Sequence, residues 1–266
     1  MPVRVEIDGP VTTVIHSRPE SRNAMDPAHA AQLADAFEAF DADDTQHVAV
    51  FWGEGGAFCA GWDLKHASRL GDEDAPLADL DFPDDETDIP RGPMGPSRLQ
   101  LSKPVIAAVA GPAVAGGFEL ALWCDVRIME ADAYFGVYCR RWGIPLIDGG
   151  TVRLPRLVGQ GRALEIIMTG RQVTADEALR IGACEQVVPT GQARQAAEAM
   201  AQQIARFPQA CMRADRRSVH AQYGLPEMQA LRNEWRNSVH TLASEGVAGA
   251  GRFSEGRGRH GDFDQI

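Results

Sequence analysis

Two glycine-bearing loops hold the residues best suited to chemistry, Ala57-Phe-Cys-Ala-Gly-Trp-Asp-Leu-Lys65 and Gly111-Pro-Ala-Val-Ala-Gly-Gly-Phe-Glu119. Small residues let a backbone N–H approach a ligand oxygen closely, and a helix N-terminus adds partial positive charge. Two such donors converging on one oxygen would stabilise a developing enolate. Glu119 follows Gly116 by three residues, close to one helical turn, which would set its carboxyl near the group that Gly116 polarises. The combination suits proton transfer beside a carbonyl. Each loop alone also fits an ordinary strand-end turn, with Glu119 serving only the helix dipole; the pair, in this order and separated by an acidic segment, is more specific.

The elements that must carry these loops can be read from hydrophobic spacing. VRVEI at 3–7 and VTTVIH at 11–16 flank Asp8-Gly9-Pro10, which predicts a β-hairpin. Asp26-Pro27 supplies an N-cap and a first-turn proline, and Leu33, Phe37 and Phe40 recur at helical spacing to about residue 42. Strands are expected at 47–52, 104–110 and 126–130, the first two running into the glycine loops and the second leading on to the helical run FELALWC. Beyond these, Gly161 to Thr169 reads as a helix and Thr174 to Glu177 as a capping box. A strand is expected at 185–188, then helices broken by Pro208, Gly224-Leu-Pro226 and Gly246. The expectation is an α/β core over residues 1–190 and a helical C-terminal region over 191–266.

Composition narrows the function classes. The chain has 266 residues, 44% of them hydrophobic and 24% charged, which suits a folded domain with a substantial core. Its net charge is −11, and nine acids with no Lys or Arg fall between Asp72 and Asp88, so the remainder carries only −2. That segment is expected to be a solvated loop or a lid. An acidic chain without clustered Lys and Arg is not expected to bind nucleic acid. No apolar run reaches the roughly 20 residues that span a bilayer, and the start MPVRVEIDGP lacks a signal-peptide pattern, so a cytoplasmic protein without membrane partners is expected. Five scattered cysteines and seven scattered histidines show no metal-ligand spacing, and no metal is expected. The motifs G-x-S-x-G, H-E-x-x-H and G-x-x-x-x-G-K-[ST] are missing, and Phe58 stands where a dinucleotide fingerprint needs its third glycine.

Several stretches resemble the crotonase (enoyl-CoA hydratase/isomerase) superfamily: HSRPESRNAM, AFCAGWDLK, KPVIAAVAGPAVAGGFELALWCDVRI, the long run DGGTVRLPRLVGQGRALEIIMTGRQVTADEALRIGACEQVVP, and SEGVAG. They lie in family order across roughly residues 3–253. The resemblance implies a ββα spiral, assembly as a trimer or a dimer of trimers, and an acyl-CoA or enoyl-CoA substrate, with CoA as part of the substrate and no separate cofactor. Carried onto the matching motifs, it implies an oxyanion hole from the N–H groups of Trp62 and Gly116. It further implies an acyl-pantetheine path along Trp62, Asp63, Leu64 and Lys65, CoA contacts near Ala24 and Ala60, and a phosphate contact from Arg22.

Family hydratases hold water with two glutamates. Glu119 matches the first, whereas Cys139 falls at the second, and a thiol cannot hold water as a carboxylate does. Asp148, in IPLIDGGT, lies where several family isomerases carry an aspartate, so it is expected either to pair with Glu119 in catalysis or to cap the following helix. Arg140 and Arg141 would favour a Cys139 thiolate, but no histidine partner lies close in sequence. The leading expectation is an enoyl-CoA hydratase. The alternatives are an enoyl-CoA isomerase using Glu119 and Asp148, and a non-catalytic acyl-CoA-binding member of the family. Trp62, Trp123, Trp142 and Phe118 could narrow an acyl pocket or pack the core.

Overall fold

The computed structural model describes residues 2–72, 80–82, 91–258 and 260. Most of the acidic segment read above as a loop or lid lies outside these residues. The N-terminal hairpin forms as expected: β1 (Val3–Asp8) pairs antiparallel with β2 (Val11–His16), and Gly9 takes the positive φ of 56° that the turn requires. Helix α1 (Pro27–Ala42) begins with the Asp26 carboxylate accepting the His29 N–H at 2.9 Å, and buries Leu33, Phe37 and Phe40.

The chain continues through β3 (Val48–Gly53), α2 (Leu64–Ala67), β4 (Val105–Val109), β5 (Pro112–Val114), α3 (Gly116–Trp123), β6 (Val126–Glu130) and β7 (Tyr134–Gly136). After a 3-10 turn at Tyr138–Trp142 come α4 (Gly150–Val158), α5 (Gln160–Thr169), β8 (Gln172–Thr174), α6 (Ala175–Ile181) and β9 (Gln186–Val188). The remaining elements are helical: α7 (Ala193–Ala205), α8 (Gln209–Ala221), α9 (Glu227–Thr241), a π turn at Leu242–Gly246 and α10 (Val247–Ser254). No helix among the described residues is long and apolar enough to cross a membrane.

Six strands form the main sheet in the order β1-β2-β3-β4-β6-β9, parallel apart from the first pair. Every residue of β2 and β4 is buried, as expected where a parallel sheet is covered on both faces. Alternation along β3 divides the core: Ala49 and Phe51 face the cluster built with α1 and α3, while Val48 and Val50 face Ala193, Ala197 and Ala201 of α7. A second, small sheet of order β5-β7-β8 stands beside the site.

Three local expectations change. Residues 112–114, read from sequence as part of a glycine-rich turn, form β5, paired with β7. Gly246 does not break its helix; its φ of −64° and ψ of −46° are helical, and the wider π turn carries α9 into α10. Thr174 does cap α6, accepting the Glu177 N–H at 3.3 Å, but the Glu177 carboxylate forms two 2.7 Å bonds with Arg171. A fixed guanidinium binds a carboxylate more strongly than the backbone N–H of a capping box does.

Candidate active site

The two glycine loops are braced against each other by backbone pairing. Cys59 bridges Ala113: its N–H donates to the Pro112 carbonyl at 3.1 Å, and its carbonyl accepts the Val114 N–H at 2.9 Å. A second bridge joins Met25 and Trp62, in which the Met25 N–H donates to the Gly61 carbonyl and the Met25 carbonyl accepts the Asp63 N–H, both at 2.8 Å. The bridge uses the groups flanking Trp62, so the Trp62 N–H points away from Met25. Gly116 is the first residue of α3, where an N–H has no partner within its own helix.

Close approach explains the glycines. Gly61 has φ +88°, and a Cβ there would lie 2.9 Å from the Ala115 Cβ and 3.1 Å from the Gly116 nitrogen. A Cβ on Gly117 would fall 2.1 Å from the Cys59 carbonyl oxygen. Ala115, just before the helix, takes φ 54° and ψ −127°, a strained conformation for a residue with a side chain.

Trp62 and Gly116 line one cleft, together with Ala60, Leu64, Glu119, Cys139 and Asp148. Glu119, 2% exposed, accepts the N–H of Asp148 at 2.9 Å and of Gly150 at 2.8 Å, both on Oε1. Burial, reinforced by the charge of Asp148, pushes its carboxyl up to about 8, against those two N–H groups. Asp148, 3% exposed, accepts the Met94 N–H at 2.9 Å and the Ser97 hydroxyl, both on Oδ1. Burial raises its pKa too, opposed first by the Ser97 hydroxyl and the Met94 N–H and then by the charges of Arg98 and Arg153. Helix α4 is N-capped by Gly149 with no side-chain bond, so the Asp148 carboxylate is not its cap.

Cys139 is 7% exposed, and burial followed by the Glu119 charge raises its thiol. The direction is opposite to the thiolate that Arg140 and Arg141 would favour. The aromatic candidates divide: Trp142 lines the cleft at its exposed side, while Phe118 stacks on Phe135 at 4.4 Å in the core and the half-buried Trp123 packs against the core on Phe37 at 4.9 Å between centroids.

Of the residues expected to bind substrate, Arg22, Ala24, Asp63 and Lys65 do not line this cleft. Asp63 caps α2 through the Lys65 N–H and pairs with Arg18 at 3.3 Å. Arg22 and Lys65 are exposed, and Ala24 is buried. The Arg22 carbonyl accepts the Ala60 N–H at 3.0 Å, which ties this segment to the edge of the cleft. Met94, Ser97 and Arg153 were missed from sequence. Arg153 donates to the Asp148 carbonyl at 2.8 Å and to the Ser97 carbonyl at 2.7 Å.

A family profile described as enoyl-CoA hydratase/isomerase matches residues 6–262. The chain belongs to the enoyl-CoA hydratase/isomerase family. It is 33% identical over 261 residues to the enoyl-CoA hydratase EchA19 of Mycobacterium tuberculosis, covering 95% of this chain and 93% of that protein. It is 38% identical over 199 residues to the carnitinyl-CoA dehydratase of Salmonella typhimurium, covering 74% and 72% respectively. Among solved structures, enoyl-CoA hydratase EchA1 from Mycobacterium marinum superposes with a TM-score of 0.85 at 30% identity, with 96% of each chain covered. An enoyl-CoA hydratase from Bacillus anthracis gives a TM-score of 0.84 at 29% identity, with 97% of each chain covered. The fold is that of the crotonase superfamily, and the chain is an enzyme of this family.

Proposed function

We propose that this family member catalyses reversible hydration of a 2-enoyl-CoA, with the thioester oxygen held by the N–H groups of Trp62 and Gly116. The observation that carries the reading is the pairing of two differently supported carboxyls in one cleft: Glu119, pushed up to about 8, and Asp148, whose charge helps to push it there. Asp148 is then the base and Glu119 the acid. Water gives its proton to Asp148 as its oxygen bonds to C3; the double-bond electrons move onto the thioester oxygen, and Glu119 protonates C2. The collapse of the enolate restores the thioester carbonyl, and exchange with solvent returns both carboxyls to their starting states. The relatives named enoyl-CoA hydratase and carnitinyl-CoA dehydratase, enzymes named for adding and removing water, support this reading.

Isomerisation is the second reading, favoured by Cys139. A thiol stands where family hydratases carry their second glutamate, and a Glu119/Asp148 pair could move a proton between C2 and C4 without water. Following the absorbance of crotonyl-CoA and of a 3-enoyl-CoA with the purified protein separates the readings. Loss of the crotonyl-CoA enone band supports hydration; appearance of the band from the 3-enoyl-CoA alone supports isomerisation; no change with either supports a non-catalytic binding protein.

The proposal includes CoA binding near Arg22, Ala24, Ala60 and the Trp62–Lys65 stretch. It also includes assembly as a trimer or a dimer of trimers through the C-terminal helices, which expose Val219, Leu231, Trp235, Leu242, Val247 and Phe253. The acid, the base and the oxyanion donors all come from the chain, so the proposed reaction needs no cofactor.

A further inference from the structure

Among the described residues no charged side chain pairs with the Asp148 carboxylate within 4 Å, so its direct contacts are hydrogen-bond donors, with the charges of Arg98 and Arg153 acting from farther off. Both donors come from one short segment. The N–H groups of Gly92 and Gly95 each donate to the other's carbonyl at 2.8 Å, closing a tight loop that presents the Met94 N–H to Asp148 Oδ1. Ser97 follows at once, fully buried, with its hydroxyl on the same oxygen. A Cβ on Gly92 would lie 1.8 Å from the Ser97 Oγ, so the loop backbone packs directly on the hydroxyl. Arg153 bridges the carbonyls of Asp148 and Ser97, which fixes the two backbones relative to each other. The Trp62 indole N–H donates to the Pro93 carbonyl at 3.2 Å, tying the same loop to the other side of the cleft.

We propose that Ser97 is a positioning residue for the Asp148 carboxylate: its hydroxyl, together with the Met94 N–H, occupies Oδ1, leaves Oδ2 for the cleft, and preserves the negative charge opposite Glu119. The inference rests on the reading of Asp148 as the base. The other charged or titratable groups acting on this region are Glu119 from α3, Arg153 from α4, Arg98 from the 3-10 turn at Pro96–Arg98, the buried thiol of Cys59 from the first glycine loop, and Cys139 beside Glu119. None of them donates a hydrogen bond to an Asp148 carboxylate oxygen in the described structure. A hydroxyl donor to a carboxylate favours the charged form, so its removal raises the pH at which the base is lost.

The test is the pH dependence of kcat with crotonyl-CoA for the wild type, Ser97→Ala, the near-isosteric weak donor Ser97→Cys, and Asp148→Asn. In Ser97→Ala the acid limb moves to higher pH by about one unit, with KM little changed, and in Ser97→Cys it moves by less. Asp148→Asn lowers turnover across the whole profile by about 10²-fold or more. If Asp148→Asn shows that loss while the acid limb stays in place in both Ser97 variants, the Ser97 inference fails and the role of Asp148 stands. If Asp148→Asn keeps wild-type turnover, both fail. The thiol of Ser97→Cys is somewhat bulkier than the hydroxyl and leaves no cavity, so a folding defect confined to Ser97→Ala leaves the comparison readable.

Discussion

Two buried titratable pairs among the described residues differ in what they face: Glu119 and Asp148 line a cleft, and His16 and His29 do not. Glu119 and Asp148 are nearly as inaccessible as His16 and His29, whose rings pack 5.4 Å apart between β2 and α1. Burial moves all four away from their ordinary values: Glu119 to about 8, Asp148 upward, His16 down to about 3 and His29 down to about 4. The surroundings differ. Each carboxyl has one oxygen fixed by two donors and lines the cleft beside the Gly116 N–H. The His16 Nε2 contacts the Phe58 carbonyl at 2.6 Å, but His16 Nδ1 and both His29 nitrogens lack a hydrogen-bond partner among the described residues. His16 also packs on Phe51 and Phe58. A large pKa shift alone therefore marks burial; a shift combined with a cleft and paired donors marks a site.

The cleft pair should respond most strongly to substitution at Glu119. Glu119→Gln keeps the acceptor oxygen for the Asp148 and Gly150 N–H groups but loses the acid, so kcat with crotonyl-CoA falls by about 10³-fold or more while acyl-CoA binding persists. Binding is read by calorimetry, and retained turnover would remove Glu119 from the chemistry. Asp148→Asn comes next, with a loss of about 10²-fold or more and a folded protein by circular dichroism. Wild-type rates in this variant would show that the second carboxyl only packs.

Smaller effects sharpen the same contrast. Cys139→Glu places a carboxylate where the family resemblance puts the hydratases' second glutamate, and is expected to raise hydration of crotonyl-CoA relative to isomerisation of a 3-enoyl-CoA by about tenfold. An unchanged ratio would make Cys139 a bystander. His29→Leu, in the other pair, leaves kcat within about twofold and changes stability instead. The folded-state values of both histidines are depressed, so their neutral forms add stability above the ordinary value of 6.5. That contribution fades as pH falls toward about 4 for His29 and about 3 for His16. Acid unfolding of His29→Leu, followed by tryptophan fluorescence, is then shallower below pH 6.5 than in the wild type.

Sequence carried the fold where the signals were local. Asp8-Gly9-Pro10 specified the first hairpin, Asp26-Pro27 the start of α1, and the spacing from Gly116 to Glu119 put a carboxyl one turn from a helix N-terminus. The family motifs then led to Trp62 and Asp148, which line the same cleft as Gly116 and Glu119. The support of Asp148 was not legible, because Ser97 and Met94 lie 51 and 54 residues from it and reach it only after the chain has folded. Gly246 misled because a glycine lowers helix propensity by about 1 kcal/mol without forbidding a helix. The histidine pair was illegible for the reason that Ser97 was: no spacing rule joins residue 16 to residue 29 across two elements.

In the proposed mechanism Glu119 works as the protonated member of a split carboxyl pair. The pH dependence of kcat for hydration of crotonyl-CoA tests it most directly, with Glu119→Gln assayed in parallel. The wild-type rate should fall as pH rises through about 8, where the Glu119 carboxyl loses its proton. Residual activity in Glu119→Gln should lack that basic limb. A wild-type rate that stays flat or climbs through pH 8, or a basic limb that survives in Glu119→Gln, would contradict it.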